Sequence, residues 1–162
     1  MVTALETRPV HQTLMGEPPL PRASTTVAPL PTDTPVTVDT LLAQARAGYE
    51  RVTARHAYQL ALHGRATLVD IRPEAQRRAE GEVHPALRPV VIERNVLEWR
   101  LDPRSDARLP WVTEHSRILV LCQEGYASSL AAATLVRLGL GRATDVVGGL
   151  AAWRQAGLPL AA

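Results

Sequence analysis

The sequence predicts an α/β protein built on an open, mostly parallel sheet, and three observations carry that expectation. Apolar runs of strand length alternate with stretches of helical periodicity from residue 36 to the end of the chain. The strongest run, residues 117–121, is β-branched and apolar after Arg117, as a strand covered on both faces must be. Hydrophobic residues make up 46% of the chain against 21% charged, enough for a packed interior, but aromatics reach only 4% and Phe is absent, so the core must be aliphatic.

Seven of the 13 prolines lie within residues 1–35, where segments such as Glu17-Pro18-Pro19-Leu20-Pro21 cannot sustain helix or ladder hydrogen bonds. That stretch reads as a disordered Pro-rich arm, a linker or tail in preference to a partner-docking polyproline segment, and residues 36–162 read as the domain. Thr37 can cap an extra N-terminal helix over residues 36–48 that carries Leu41, Leu42 and Ala45 and ends at Gly48. A short strand near residues 50–52 meets Thr53, a second cap, ahead of a helix with Ala57, Leu60 and Ala61, closed by Gly64. Residues 67–71 form a strand ended by Arg72-Pro73, and residues 74–80 a short polar helix. Residues 90–92 give a third strand and residues 117–121 a fourth. Residues 128–138 then place Leu130, Thr134, Leu135 and Leu138 on one helical face, followed by a last strand at 144–147 and a final helix near 150–155 that stops at Gly157.

Composition excludes several classes of function. The formal net charge is +2, all 18 basic residues are Arg, and they alternate with acids, so no basic block marks a nucleic-acid surface. The single cysteine, Cys122, excludes an intrachain disulfide, a thiolate metal cluster and a two-cysteine relay within one subunit. His56 and His63 fall two turns apart on one predicted helix, too far for one metal ion, and no metal site is expected. Neither a signal core nor a membrane span is expected, because the longest apolar stretch, near residues 130–140, is broken by Arg137. The default compartment is a reducing cytoplasm.

Chemistry concentrates on one segment. Cys122-Gln123-Glu124-Gly125-Tyr126-Ala127-Ser128-Ser129 joins the strongest strand to an amphipathic helix, so its backbone N–H groups can converge at the helix N-terminus and favour an anion. A thiolate or persulfide there is stabilised as a nucleophile. Gly125 permits the tight curl, and Ser128 or Ser129 can cap the helix. Taken alone the segment leaves a second reading open, since a free cysteine is commonly a small buried hydrophobe.

A cysteine, a glycine three residues on and a Ser-led helix together resemble the active-site loop of the rhodanese family. Leu68-Val69-Asp70-Ile71-Arg72 resembles the family's Asp-x-Arg strand end. Val147-Gly148-Gly149-Leu150-Ala151-Ala152-Trp153 with Gly157-Leu158-Pro159 resembles its C-terminal signature. The resemblance frames residues 50–160 and implies about five parallel strands flanked by helices on both faces. It further implies a sulfurtransferase without cofactor, in which Cys122 takes a sulfane sulfur from thiosulfate or a persulfide and passes it to a thiol or cyanide. The partners it implies are a small-molecule sulfur donor, a thiol acceptor and a sulfur-carrier or sulfur-metabolism protein. The amides from Gln123 through Glu124, Gly125, Tyr126 and Ala127 to Ser128 would cradle the persulfide.

The chain departs from that pattern in ways that matter. Gln123 and Ala127 stand where many relatives carry cationic or hydroxyl residues, and Glu124 adds negative charge, so a donor less anionic than thiosulfate is expected. Glu82-Val83-His84-Pro85-Ala86 replaces a glycine-richer family loop. Arg94, at the same sheet edge, is a candidate anion clamp, weighed against an ion pair with Glu93 or Glu98. Asp70 and Arg72 are expected to form a structural ion pair, and Trp99, Trp111 and Trp153 to serve as core or lid residues. Two competing functions stay open. A Cys-dependent phosphatase or arsenate reductase would need Arg six residues after the cysteine, where Ser128 stands; a non-catalytic regulatory or binding module would use the Pro-rich arm.

Overall fold

The computed structural model describes residues 35–161, so the arm expected over residues 1–35 falls, apart from Pro35, outside the described residues. The sheet has strands β1 (Thr67–Asp70), β2 (Val90–Val91), β3 (Ile118–Leu121) and β4 (Thr144–Asp145). All pair in parallel, in the order β2-β1-β3-β4. The chain steps from β1 to one side and then returns to its other side, so a switch point lies between β1 and β3, where Asp70 is level with Leu121.

The expected count of about five strands is corrected to four. The segment at 50–52 contributes only an isolated parallel bridge between Val52 and Val146. Pairing cannot extend because Thr53 already caps the next helix and Arg51 turns its side chain onto Asp145. The last strand likewise stops early, since Gly148 (φ 71°) bends the chain into a helix.

Among the described residues six α-helices flank the sheet: α1 (Val38–Ala47), α2 (Ala54–Leu62), α3 (Glu74–Glu80), α4 (Leu97–Leu101), α5 (Ala127–Arg137) and α6 (Gly149–Gln155). Thr37 and Thr53 are the N-caps of α1 and α2, accepting from Thr40 N at 3.2 Å and His56 N at 3.3 Å. Replacing Thr53 by Ala is expected to cost about 1 kcal/mol, read as a lower urea midpoint at unchanged slope, because α2 loses the acceptor for a first-turn amide.

Strand alternation divides the core. Ile118 and Val120 of β3 join Leu97, Leu101, Ala131, Ala132 and Leu135 beneath α4 and α5. On the other face Leu119 and Leu121 join Ala57, Leu60, Leu150 and Trp153 beneath α2 and α6. The face of α5 that packs on the sheet is Ser128, Ser129, Ala131, Ala132 and Leu135, which corrects the leucine-centred face expected from periodicity. Small residues let α5 lie close to the sheet, while Leu130 and Thr134 line a groove against Leu41 and Ala45 of α1.

Only Trp153 among the tryptophans is core. It is fully buried, meets Tyr58 edge to face at 6.1 Å, and its Nε1 donates to Pro159 O at 3.1 Å, fixing the Gly157-Leu158-Pro159 tail. The core reading fails for Trp99 and Trp111, which are 61% and 41% exposed. Helix α4 buries Leu97 and Leu101, four apart, which turns position 99 outward, and Val112 is the residue buried beside Trp111. The 82–86 loop is pinned by an antiparallel bridge between Val83 and Leu160. No helix among the described residues is long and apolar enough to cross a membrane.

Candidate active site

Cys122 directly follows β3 at the carboxyl edge of the sheet, beside the switch point. The residue is 7% exposed and stands at the edge of the apolar core, with donors of the loop on its sulfur. Gly125 N donates to Sγ at 3.2 Å and Ser128 N at 3.4 Å, while Ser128 Oγ lies 3.1 Å from Sγ. The curl needs Gly125 at φ 80°, where a Cβ would stand 2.8 Å from Gly148 N.

Of the loop amides, those of Gly125 and Ser128 reach the sulfur. Glu124 and Tyr126 line an open depression of about 420 Å³ with Gly148, Ala151, Ala152 and Gln155, while Gln123 is half-buried and Ala127, exposed, begins α5. The side-chain oxygen of Gln123 is buried and accepts no hydrogen bond from the described residues.

Neither Ser128 nor Ser129 is the helix cap. The N-cap position is Tyr126, which makes no side-chain cap bond, and the sulfur takes a cap's role by accepting from Ser128 N in the first turn of α5. Both serine hydroxyls are thereby left free to point inward, where they meet Asp145. Ser128 Oγ lies 3.3 Å and Ser129 Oγ 2.9 Å from Asp145 Oδ2, and Ser129 Oγ is also 2.7 Å from Gly125 O.

Asp145 is fully buried on β4, and sequence reasoning missed it together with its partners. Arg51 grips it with two 2.8 Å bonds, from Nε to Oδ1 and from NH2 to Oδ2, and the Tyr49 hydroxyl lies 3.0 Å from Oδ1. The hydrogen bonds to Asp145 raise Arg51's affinity for its proton, and burial followed by the Asp145 charge pushes the Tyr49 hydroxyl well above its usual value, so both stay protonated donors. Arg46 completes the underside of the loop. Its NH2 donates to Gly125 O at 3.0 Å, its Nε to Ser129 Oγ at 3.1 Å, and its guanidinium sits 5.6 Å from the Tyr126 ring centre. The available signal was an acid inside an otherwise strand-like run, since buried aspartates are partnered as a rule.

Asp70 and Arg72 form a buried ion pair at the end of β1, with NH2 2.6 Å from Oδ2. Arg72 extends it to Glu80 at 3.2 Å and to Gly81 O at 3.0 Å, tying β1 to the end of α3. Arg94 does not face the loop through any hydrogen bond: it pairs with Glu98 at 2.8 Å. No group of ligating side chains suited to a metal ion occurs among the described residues.

A parallel α/β sheet that ends its central strand in a thiol, held by amides at the start of the next helix, defines a class of folds built around a loop-cradled cysteine. Residues 53–156 match the rhodanese-like domain model, and the chain belongs to the rhodanese-like domain family. Over 106 residues it is 35% identical to the adenylyltransferase and sulfurtransferase MOCS3-2 of Zea mays, a match that covers 65% of this chain but only 21% of the maize protein. A Rhodopseudomonas palustris protein of unknown function, named as a possible tyrosine phosphatase, superposes with a TM-score of 0.70 at 29% identity, covering 82% of this chain and 99% of that one. The polysulfide-sulfur transferase homodimer of Wolinella succinogenes shares the fold, with a TM-score of 0.61 at 22% identity over 76% of this chain and 85% of its own.

Proposed function

We propose that this domain is a sulfurtransferase that carries a sulfane sulfur on Cys122. The observation that carries the reading is the placement of Sγ against Gly125 N, Ser128 N and Ser128 Oγ, three donors able to stabilise a thiolate and then a persulfide anion. In the first step the Cys122 thiolate attacks the outer sulfur of a donor persulfide; a new S–S bond forms, the donor's S–S bond breaks, and the donor leaves as a thiolate. In the second, an acceptor thiolate or cyanide attacks the outer sulfur of the Cys122 persulfide, which breaks the bond to Sγ and restores the thiolate. A free nucleophilic cysteine suits a reducing compartment such as the cytoplasm. The sulfurtransferase named among the relatives supports a sulfur-carrier or sulfur-metabolism protein as a natural partner.

Incubating the protein with glutathione persulfide should add the mass of one sulfur atom to wild type and none to Cys122→Ser. An unmodified wild-type thiol would overturn the reading and leave a non-catalytic module in its place. The rim also sets an expectation for the donor. Glu124, exposed on the loop and lining the depression, repels a dianion, so turnover with glutathione persulfide should exceed turnover with thiosulfate. A clear thiosulfate preference would refute that ordering.

The name of the R. palustris relative raises phosphoryl transfer as an alternative. Against it, the sixth residue after Cys122 is Ser128, and both nearby guanidiniums, Arg46 and Arg51, donate to Gly125 O beneath the loop.

A further inference from the structure

The hydrogen-bond network under the loop contains fewer hydroxyl protons than acceptors. Ser128 has one hydroxyl proton and two neighbours that can take it, Sγ at 3.1 Å and Asp145 Oδ2 at 3.3 Å. Ser129 has one as well, with Gly125 O at 2.7 Å and Asp145 Oδ2 at 2.9 Å. Two complete assignments result. With Cys122 as a thiol, S–H donates to Ser128 Oγ, Ser128 donates to Asp145 and Ser129 to Gly125 O. With Cys122 as a thiolate, Ser128 turns its proton to the sulfur and Ser129 turns its own to Asp145. Gly125 O is not stranded, because Arg46 and Arg51 donate to it at 3.0 and 3.3 Å. Neither state leaves a buried polar group unmatched, so the sulfur can lose its proton, which departs to solvent, without an unsatisfied partner opposing it.

Charged groups of both signs surround the loop. Arg46 on α1 and Arg51 ahead of α2 outweigh Asp145 on β4, and Tyr49 is a neutral phenol. Glu124 on the loop opposes them from an exposed position, and the Asp70–Arg72 pair on β1 is closed on itself and Glu80. Arg46, Tyr49 and Arg51 all precede residue 53, where the family match begins, so the segment ahead of the matched domain supplies the guanidiniums beneath the loop.

We propose that Arg51 and Asp145 are positioning residues for Cys122, a half-buried pair whose guanidinium lies beneath the loop and whose carboxylate holds Ser128 and Ser129 so that their hydroxyl protons reorient when the sulfur ionises. This rests on Cys122 being the reactive group of the proposed function, yet its test needs no sulfur donor. The rate of Cys122 alkylation by iodoacetamide, in which an S–C bond forms and iodide leaves, reports the thiolate fraction as a function of pH. Arg51→Gln should move that profile to higher pH, slowing alkylation at pH 7 about tenfold while leaving the high-pH plateau in place, and Arg51→Lys should recover part of the loss. Ser129→Ala keeps the ion pair and so tests the hydroxyl exchange should Arg51→Gln fail to fold; its profile should also move to higher pH. A folded Arg51→Gln or Ser129→Ala protein whose profile coincides with that of wild type overturns the proposal. Sulfur loading separates the two claims: shifted profiles without sulfur gain sink the sulfurtransferase reading alone, and sulfur gain with unshifted profiles sinks this one alone.

Discussion

Arg72→Met is expected to lower the stability of the domain by about 3–5 kcal/mol, because it leaves the Asp70 carboxylate buried without its counter-ion. Arg72 is 1% and Asp70 2% exposed, so water cannot replace the lost partner. Five bonds go at once: Nε to both Asp70 oxygens, NH2 to Asp70, NH2 to Gly81 O and NH1 to Glu80. Burial alone would ease the proton off Arg72, but the hydrogen bonds and charge of Asp70 prevail and hold it more tightly than usual, which is the behaviour of a matched pair. For a domain whose whole stability is about 5–15 kcal/mol, such a loss is a large fraction of the total. The double variant Asp70→Asn/Arg72→Met removes the lone charge and should recover much of the loss, since a buried pair replaced as a unit often costs little. Urea unfolding of the two variants beside wild type measures this. A single-variant loss under about 1 kcal/mol would place the pair in the class of solvated surface bridges.

The same pair shows what the sequence made legible. Asp70 and Arg72 are two residues apart at the end of an apolar run, so their meeting follows from local geometry, as do the caps at Thr37 and Thr53 and the left-handed turn at Gly125. Cys122 was placed correctly between strand and helix for the same reason. What escaped was whatever depends on contacts between distant segments. Arg51 and Asp145 are 94 positions apart, and neither residue carries a local pattern that announces the other. Periodicity favoured the leucines of α5 because it weighs side-chain size; the fold instead buries Ser128 and Ser129, whose hydroxyls serve the network under the loop. The edge strand expected over 50–52 shrank to a bridge because Arg51, inside it, and Thr53, read as the cap that follows it, are engaged with Asp145 and α2.

Gly149→Ala should be the most damaging change in the C-terminal signature, and it should damage the loop as much as the fold. At φ 55° an alanine there is strained, and its Cβ would lie 2.3 Å from Cys122 O and 2.7 Å from Gln123 O, backbone atoms that no rotamer change can move aside. The left-handed strain of about 1–2 kcal/mol and an overpacking cost of about 1–3 kcal/mol together give a loss of about 2–5 kcal/mol. That backbone is the base of the cysteine loop, held by Leu150 N to Cys122 O at 2.9 Å and Ala151 N to Gln123 O at 3.0 Å. Relieving the clash therefore requires shifting the residue that carries the sulfur. A displacement near 1 Å slows a positioned reaction about a hundredfold, so sulfur loading of the folded Gly149→Ala protein should fall by about that factor. Gly148→Ala supplies the contrast. Its Cβ would meet Ala152 Cβ of α6 at 2.7 Å and not the backbone of Cys122 or Gln123, so it should destabilise while affecting loading less. Thermal melts paired with mass-spectrometric loading rates below both transitions separate the two effects. Equal loading by Gly149→Ala and wild type would mean that the signature glycine supports only the fold, and that the loop tolerates a displaced base.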